Sequence, residues 1–176
     1  MAEPHELLNA LDPEAAAAAL RRCCGAERWV RAMLAARPFL SMRALHERAT
    51  SIWNGLTAPD YLEAFSHHPQ IGENLEELRR RFTATHTLSA REQAGVSAAD
   101  EGTLLALREG NRAYRERFGH IFIVCATGKT AAEMLALLQQ RLSNEPAAEL
   151  AIAAAEQAKI TRLRLDGLGT SEPAAR

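Results

Sequence analysis

His120-Ile121-Phe122-Ile123-Val124-Cys125-Ala126 is the one stretch of this chain with strand-like character, four large apolar residues in a row behind Gly119. Its reading decides the fold, because everything around it carries helix-period patterning in alanine, leucine, glutamate and arginine. A short, isolated apolar run has no second strand to pair with, and a buried extended or helical segment fits it as well as a sheet does. The expectation is therefore an all-α, single-domain bundle of roughly eight or more helices.

Upstream of that run, Ser89 reads as the N-cap of a helix that either breaks near 95–97, where Gly95 stands, or runs through, and residues 98–117 read as helix. Further back, helices are expected over 4–11, 14–23, 27–36, 41–56, 58–65 and 74–82. Asp12-Pro13 gives the second its cap and first-turn proline. Pro38 and Gly55 stop the third and fourth. Residues 83–88 read as a connection. Downstream, Lys129 or Thr130 opens a helix to about Leu142, and Pro146 begins the last, which Gly167-Leu168-Gly169 ends. No internal repeat or linker divides the chain, so residues 1–169 read as one domain and 170–176 as a frayed, disordered tail.

Composition narrows the function. The chain has 176 residues and a net charge of −1, which leaves no basic footprint for nucleic acid. Its three cysteines (Cys23, Cys24, Cys125) show no zinc or redox spacing and read as reduced, buried thiols of a cytoplasmic protein. No apolar run is long enough to span a membrane, and the acidic start lacks a signal-peptide pattern. Gly128-Lys129-Thr130 looks like the end of a phosphate-binding loop, but Ile123 occupies the place of that motif's first glycine, which rules nucleotide binding out.

Three features could carry chemistry. In Ser66-His67-His68-Pro69-Gln70-Ile71-Gly72-Glu73, Pro69 pushes His68 out of helical geometry and Gly72 delays any new helix. His68 thus falls where the preceding helix must stop, on a stiff backbone, as a catalytic group or as a surface loop histidine. His67 and His68 are adjacent and have no ligand at i+3 or i+4, so no metal site is expected. Ser89-Ala90-Arg91-Glu92-Gln93 reads as a capping box, or as polar groups aimed from a helix N-terminus at a ligand. Residues 159–165, Lys-Ile-Thr-Arg-Leu-Arg-Leu, place cations at a helix C-terminus, where they complement the dipole or form a fork for a carboxylate or planar amide.

Taken together, the pieces resemble a family. His68-Pro69-Gln70-Ile71-Gly72, residues 89–95, residues 118–130 (FGHIFIVCATGKT) and residues 156–165 (EQAKITRLRL) are similar to the 2-oxo-4-hydroxy-4-carboxy-5-ureidoimidazoline (OHCU) decarboxylases of the urate-to-allantoin route. Cys23-Cys24-Gly25 with Arg28-Trp29, Arg37-Pro38-Phe39, and Ile52-Trp53 followed by Leu62-Glu63-Ala64-Phe65 look like theirs too, so the likeness runs from about residue 7 to 165.

The resemblance implies an all-α, homodimeric decarboxylase without cofactor or metal, acting on a small ureidoimidazoline. It implies His68 and Glu92 as the catalytic pair. It implies Pro69, Ser89, Gln93, the segment Phe118, Gly119, His120, Ile121 and Phe122, and Arg164 in preference to Arg162 as substrate contacts. Two other classes fit the residue types: a cofactor-free hydrolase or isomerase of a related ureide, and a non-catalytic helical interaction module.

Overall fold

The computed structural model describes residues 2–68 and 93–169, with the backbone alone for 93–100. Among them the secondary structure is entirely helical: α1 (Pro4–Ala10), α2 (Pro13–Cys23), α3 (Glu27–Ala35), α4 (Met42–Asn54), α5 (Ala58–Ser66), α6 (Gln93–Phe118), α7 (Ala131–Arg141) and α8 (Pro146–Asp166). The expected helix over 74–82, the connection over 83–88, the capping box at Ser89 and the tail lie outside the described residues. The fold is all-α, as expected.

The starts are set by side chains that take up orphan N–H groups. Asp12 accepts from the Ala15 N–H at 2.9 Å and Ser41 from the Ala44 N–H at 3.1 Å. Thr57 with Asp60, and Thr130 with Glu133, form capping boxes on α5 and α7. The Asp60 and Glu133 carboxyls are held below the usual carboxylate range, chiefly by the N–H groups of Thr57 and Thr130. Of the two readings of α6, the unbroken one holds: it runs through residues 95–97. A glycine in a helix costs only about 1 kcal/mol relative to alanine, which is too little to break a long helix.

The chain divides into two compact units, Met1–His67 with Ala154–Arg176, and His68–Ala153. In the first, α2 packs on α3 and α3 on α4, and Leu20, Trp29, Met33, Leu45 and Phe65 are buried. Both tryptophans satisfy their indole N–H on helix backbone, Trp29 on Ala49 O at 3.1 Å and Trp53 on Ala154 O at 3.0 Å. In the second, α6 packs along α7 around Leu104, Leu107, Tyr114, Phe122, Val124, Met134 and Leu138.

The run that opened the question belongs to this second unit. Residues 121–126 form no regular secondary structure and have no ladder partner among the described residues. Phe122, Ile123 and Val124 are all buried. Buried carbonyls need partners, and here side chains supply them: the Arg141 guanidinium donates to Ile123 O at 2.7 Å and the Lys129 ammonium to Cys125 O at 2.8 Å. A lone apolar run is thus buried without a sheet.

Candidate active site

The chemistry-bearing residues fall at helix ends. α5 stops at its C-cap His67, whose N–H reaches Ala64 O at 3.3 Å, and half-buried His68 comes next. The proline that the sequence places at 69 is outside the described residues, as are Ser89 and Glu92. Gln93 is the first residue of α6. At the other end of that helix stand Phe118, then Gly119 at φ 73°, a left-handed conformation that glycine adopts without strain. Buried His120 follows, with a ring nitrogen 3.0 Å from Ile121 O.

The aromatic rings of this segment gather on Tyr114. Phe118, His120 and Phe122 lie with ring centroids 4.6, 5.5 and 5.2 Å from it. Phe122 is only 3% exposed, so its ring belongs to the core.

Within the first unit, one turn collects two of the predicted features. α2 ends on Cys23, and the turn from it to α3 carries Cys24 and Gly25. Arg164 donates from Nη1 toward Arg22 O and Cys23 O, at 3.3 and 3.4 Å. The His67 ring lies so close over Gly25 that a Cβ there would stand 2.4 Å from its Cγ. Glu63 of α5 accepts from the Glu27 N–H at 3.2 Å and so caps α3 on the same turn. Arg164 and the residue preceding His68 therefore share one seat. Arg162 lines a different surface, a groove of about 750 Å³ with Arg43, His46, Thr50 and Asp166.

Burial pushes the Cys23 thiol up to about 12 and the Cys24 thiol up to about 11. Both stay protonated at neutral pH and offer no nucleophile. Among the described residues no group of three or more His, Cys, Asp or Glu side chains could hold a metal ion, and no helix is long and apolar enough to cross a membrane.

Sequence reasoning missed two polar pairs. Buried His46 binds Asp166 through Nε2 at 2.7 Å. Arg141 pairs with Glu149, whose side chain is 0% exposed. Neither pair shows in the sequence, because each joins residues on different helices and its burial follows from the tertiary contact.

The family model for OHCU decarboxylase matches residues 9–166. The chain belongs to this family. The uric acid degradation bifunctional protein TTL of Arabidopsis thaliana is 41% identical over 144 residues, 81% of this chain and 44% of that protein. The chain thus spans under half of that two-function relative. The OHCU decarboxylase of Amia calva is 30% identical over 137 residues, 78% of this chain and 77% of its own length. A crystal structure of OHCU decarboxylase in the presence of (S)-allantoin aligns at a TM-score of 0.69 with 39% identity, over 90% of this chain and 98% of that one. Membership makes the chain a decarboxylase of the urate-degradation family and agrees with the resemblance carried by its motifs.

Proposed function

We propose that the chain catalyses the cofactor-independent decarboxylation of OHCU to (S)-allantoin, with His68 and Glu92 as the catalytic pair and residues 1–169 as one decarboxylase domain. The observation that carries this reading is the family match over residues 9–166, joined by a structural relative of near-equal length crystallised with (S)-allantoin. In the substrate, one ring carbon bears both a carboxylate and a hydroxyl, beside a C=N bond to the neighbouring carbon. As the carboxylate leaves as CO2, its electron pair forms a C=C bond with that neighbour, and the C=N pair moves to nitrogen, which takes a proton. The substrate is its own electron sink, so the reaction requires neither pyridoxal phosphate nor metal. The enol that results becomes allantoin when its hydroxyl proton leaves and a proton adds to one face of the neighbouring carbon.

Delivering that proton is the role proposed for His68, since an imidazole titrates near neutral pH. Glu92 is proposed to keep the imidazole oriented and charged, or to take the hydroxyl proton. Ser89, Gln93 and the backbone of residues 118–122 would hold ring and ureido groups, Pro69 would line the pocket, and Arg164 would grip carboxylate or ureido oxygens in bidentate fashion. The placement of Arg164 on the turn that also carries His67 supports its choice over Arg162. We further propose a homodimer acting in the cytoplasm on this small molecule, with no nucleic acid or membrane partner. The test is to supply freshly generated OHCU and follow its ultraviolet absorbance, with Glu92→Gln beside the wild type. The variant is expected to lose both rate and the single handedness of the product. Full rate and full stereocontrol in Glu92→Gln would remove Glu92 from the mechanism.

A further inference from the structure

We propose that Arg141 is the positioning residue of the substrate-contacting segment 118–122, an inference that rests on the functional reading above. Past Phe118, the last residue of α6, that segment has no regular secondary structure and no ladder partner among the described residues, so neither a helix nor a sheet fixes its backbone. Arg141, the last residue of α7 and 6% exposed, fixes it instead. Its Nη1 donates to Ile123 O at 2.7 Å, and its guanidinium carbon lies 4.6 Å from the Phe122 ring centroid. One planar group thus holds the backbone just after Phe122 and the face of the Phe122 side chain.

The guanidinium is itself anchored. Nε donates to Glu149 Oε1 at 2.7 Å, and Glu149 also accepts from the Tyr114 hydroxyl and, on Oε2, from Asn144 Nδ2 at 2.7 Å. Tyr114 in turn is the ring on which Phe118, His120 and Phe122 pack. The Tyr114 hydroxyl is held well above its ordinary pKa by burial and by Glu149, so it remains a donor. A buried ion pair contributes little net stability compared with apolar residues of the same volume. Its distinctive contribution is direction: the rigid planar fork holds a carboxylate and a carbonyl through separate nitrogens at fixed positions, whereas an ammonium is a compact point charge on a flexible stem. The network therefore serves to set the geometry of a backbone that must meet a planar substrate edge.

The test uses Arg141→Lys and, to avoid leaving Glu149 buried and unpaired, the double variant Arg141→Met with Glu149→Leu. Steady-state kinetics on OHCU and amide hydrogen exchange over residues 121–125 are measured on both, with circular dichroism checking the helices. The expected result is faster exchange along 121–125 and a KM raised about tenfold or more, as the loss of a charged hydrogen bond's worth of alignment implies, with kcat changed far less. A KM unchanged in an active variant, with or without faster exchange, would overturn the positioning role, as would a loss confined to kcat. If wild-type protein fails to accelerate OHCU loss, the functional reading falls, and the exchange measurement still decides whether Arg141 holds the segment.

Discussion

His67 and His68 are neighbours with different surroundings. The His67 ring is committed to the surface of Gly25, while His68 follows the helix end, half-buried. On the proposed mechanism His68→Asn lowers kcat by about 10²–10⁴-fold, the usual contribution of a positioned acid, while its helical signal is unchanged. His67→Ala, which removes a packing contact and no reacting group, costs much less. Equal losses in the two variants would contradict the assignment. The buried thiols give a second residue-scale expectation. With the Cys23 and Cys24 thiols pushed up to about 12 and about 11, chiefly by burial, native protein should resist alkylation at pH 8 and take up reagent only after unfolding, read by intact mass. The sign for stability follows. A thiol raised above its unfolded value contributes stability that is fully present below the unfolded thiol pKa, about 8.5. That contribution is lost as pH rises through the folded values, so denaturation midpoints should fall above about pH 9. His68 was legible because Pro69 dictates a helix stop beside a titratable ring. Arg141 and Glu149 were not, because a charged side chain in a helix pattern reads as solvated until its partner is known.

The helix starts were legible wherever a short polar side chain precedes a periodic run, and Asp12, Ser41, Thr57 and Thr130 each stand at one. The conformation of the run 121–126 was not decidable from sequence. Period-2 and buried-segment readings coincide for four consecutive apolar residues, and its actual partners are cationic side chains of Lys129 and Arg141. The seat on the α2–α3 turn was equally hidden, since Gly25 stood out only as part of the family-like stretch Cys23-Cys24-Gly25. Gly25→Ala tests it. The new methyl would meet the Cγ, Cδ2 and Cβ of His67 at 2.4, 2.5 and 2.7 Å, and Cβ cannot rotate away. The expected cost is about 1–3 kcal/mol, the range for overpacking, read as a lower midpoint in denaturant. A fall in kcat/KM beyond that of His67→Ala is expected too, because the end of α5 must shift. Wild-type stability and activity in this variant would show that the contact does not set the position of the helix end.

Across the whole molecule, the family match and the helical architecture agree with what the ordered motifs implied. The proposed homodimer predicts a mass near twice 19.3 kDa in light scattering at micromolar concentration. A monomer mass would refute it. The central claim is that this protein directs the collapse of OHCU to one enantiomer. It is tested most directly by adding wild-type protein to freshly generated OHCU and recording ultraviolet absorbance and circular dichroism together. The account predicts absorbance loss faster than in buffer and a product with the single-signed dichroism of (S)-allantoin. Loss at the buffer rate with racemic allantoin would contradict it.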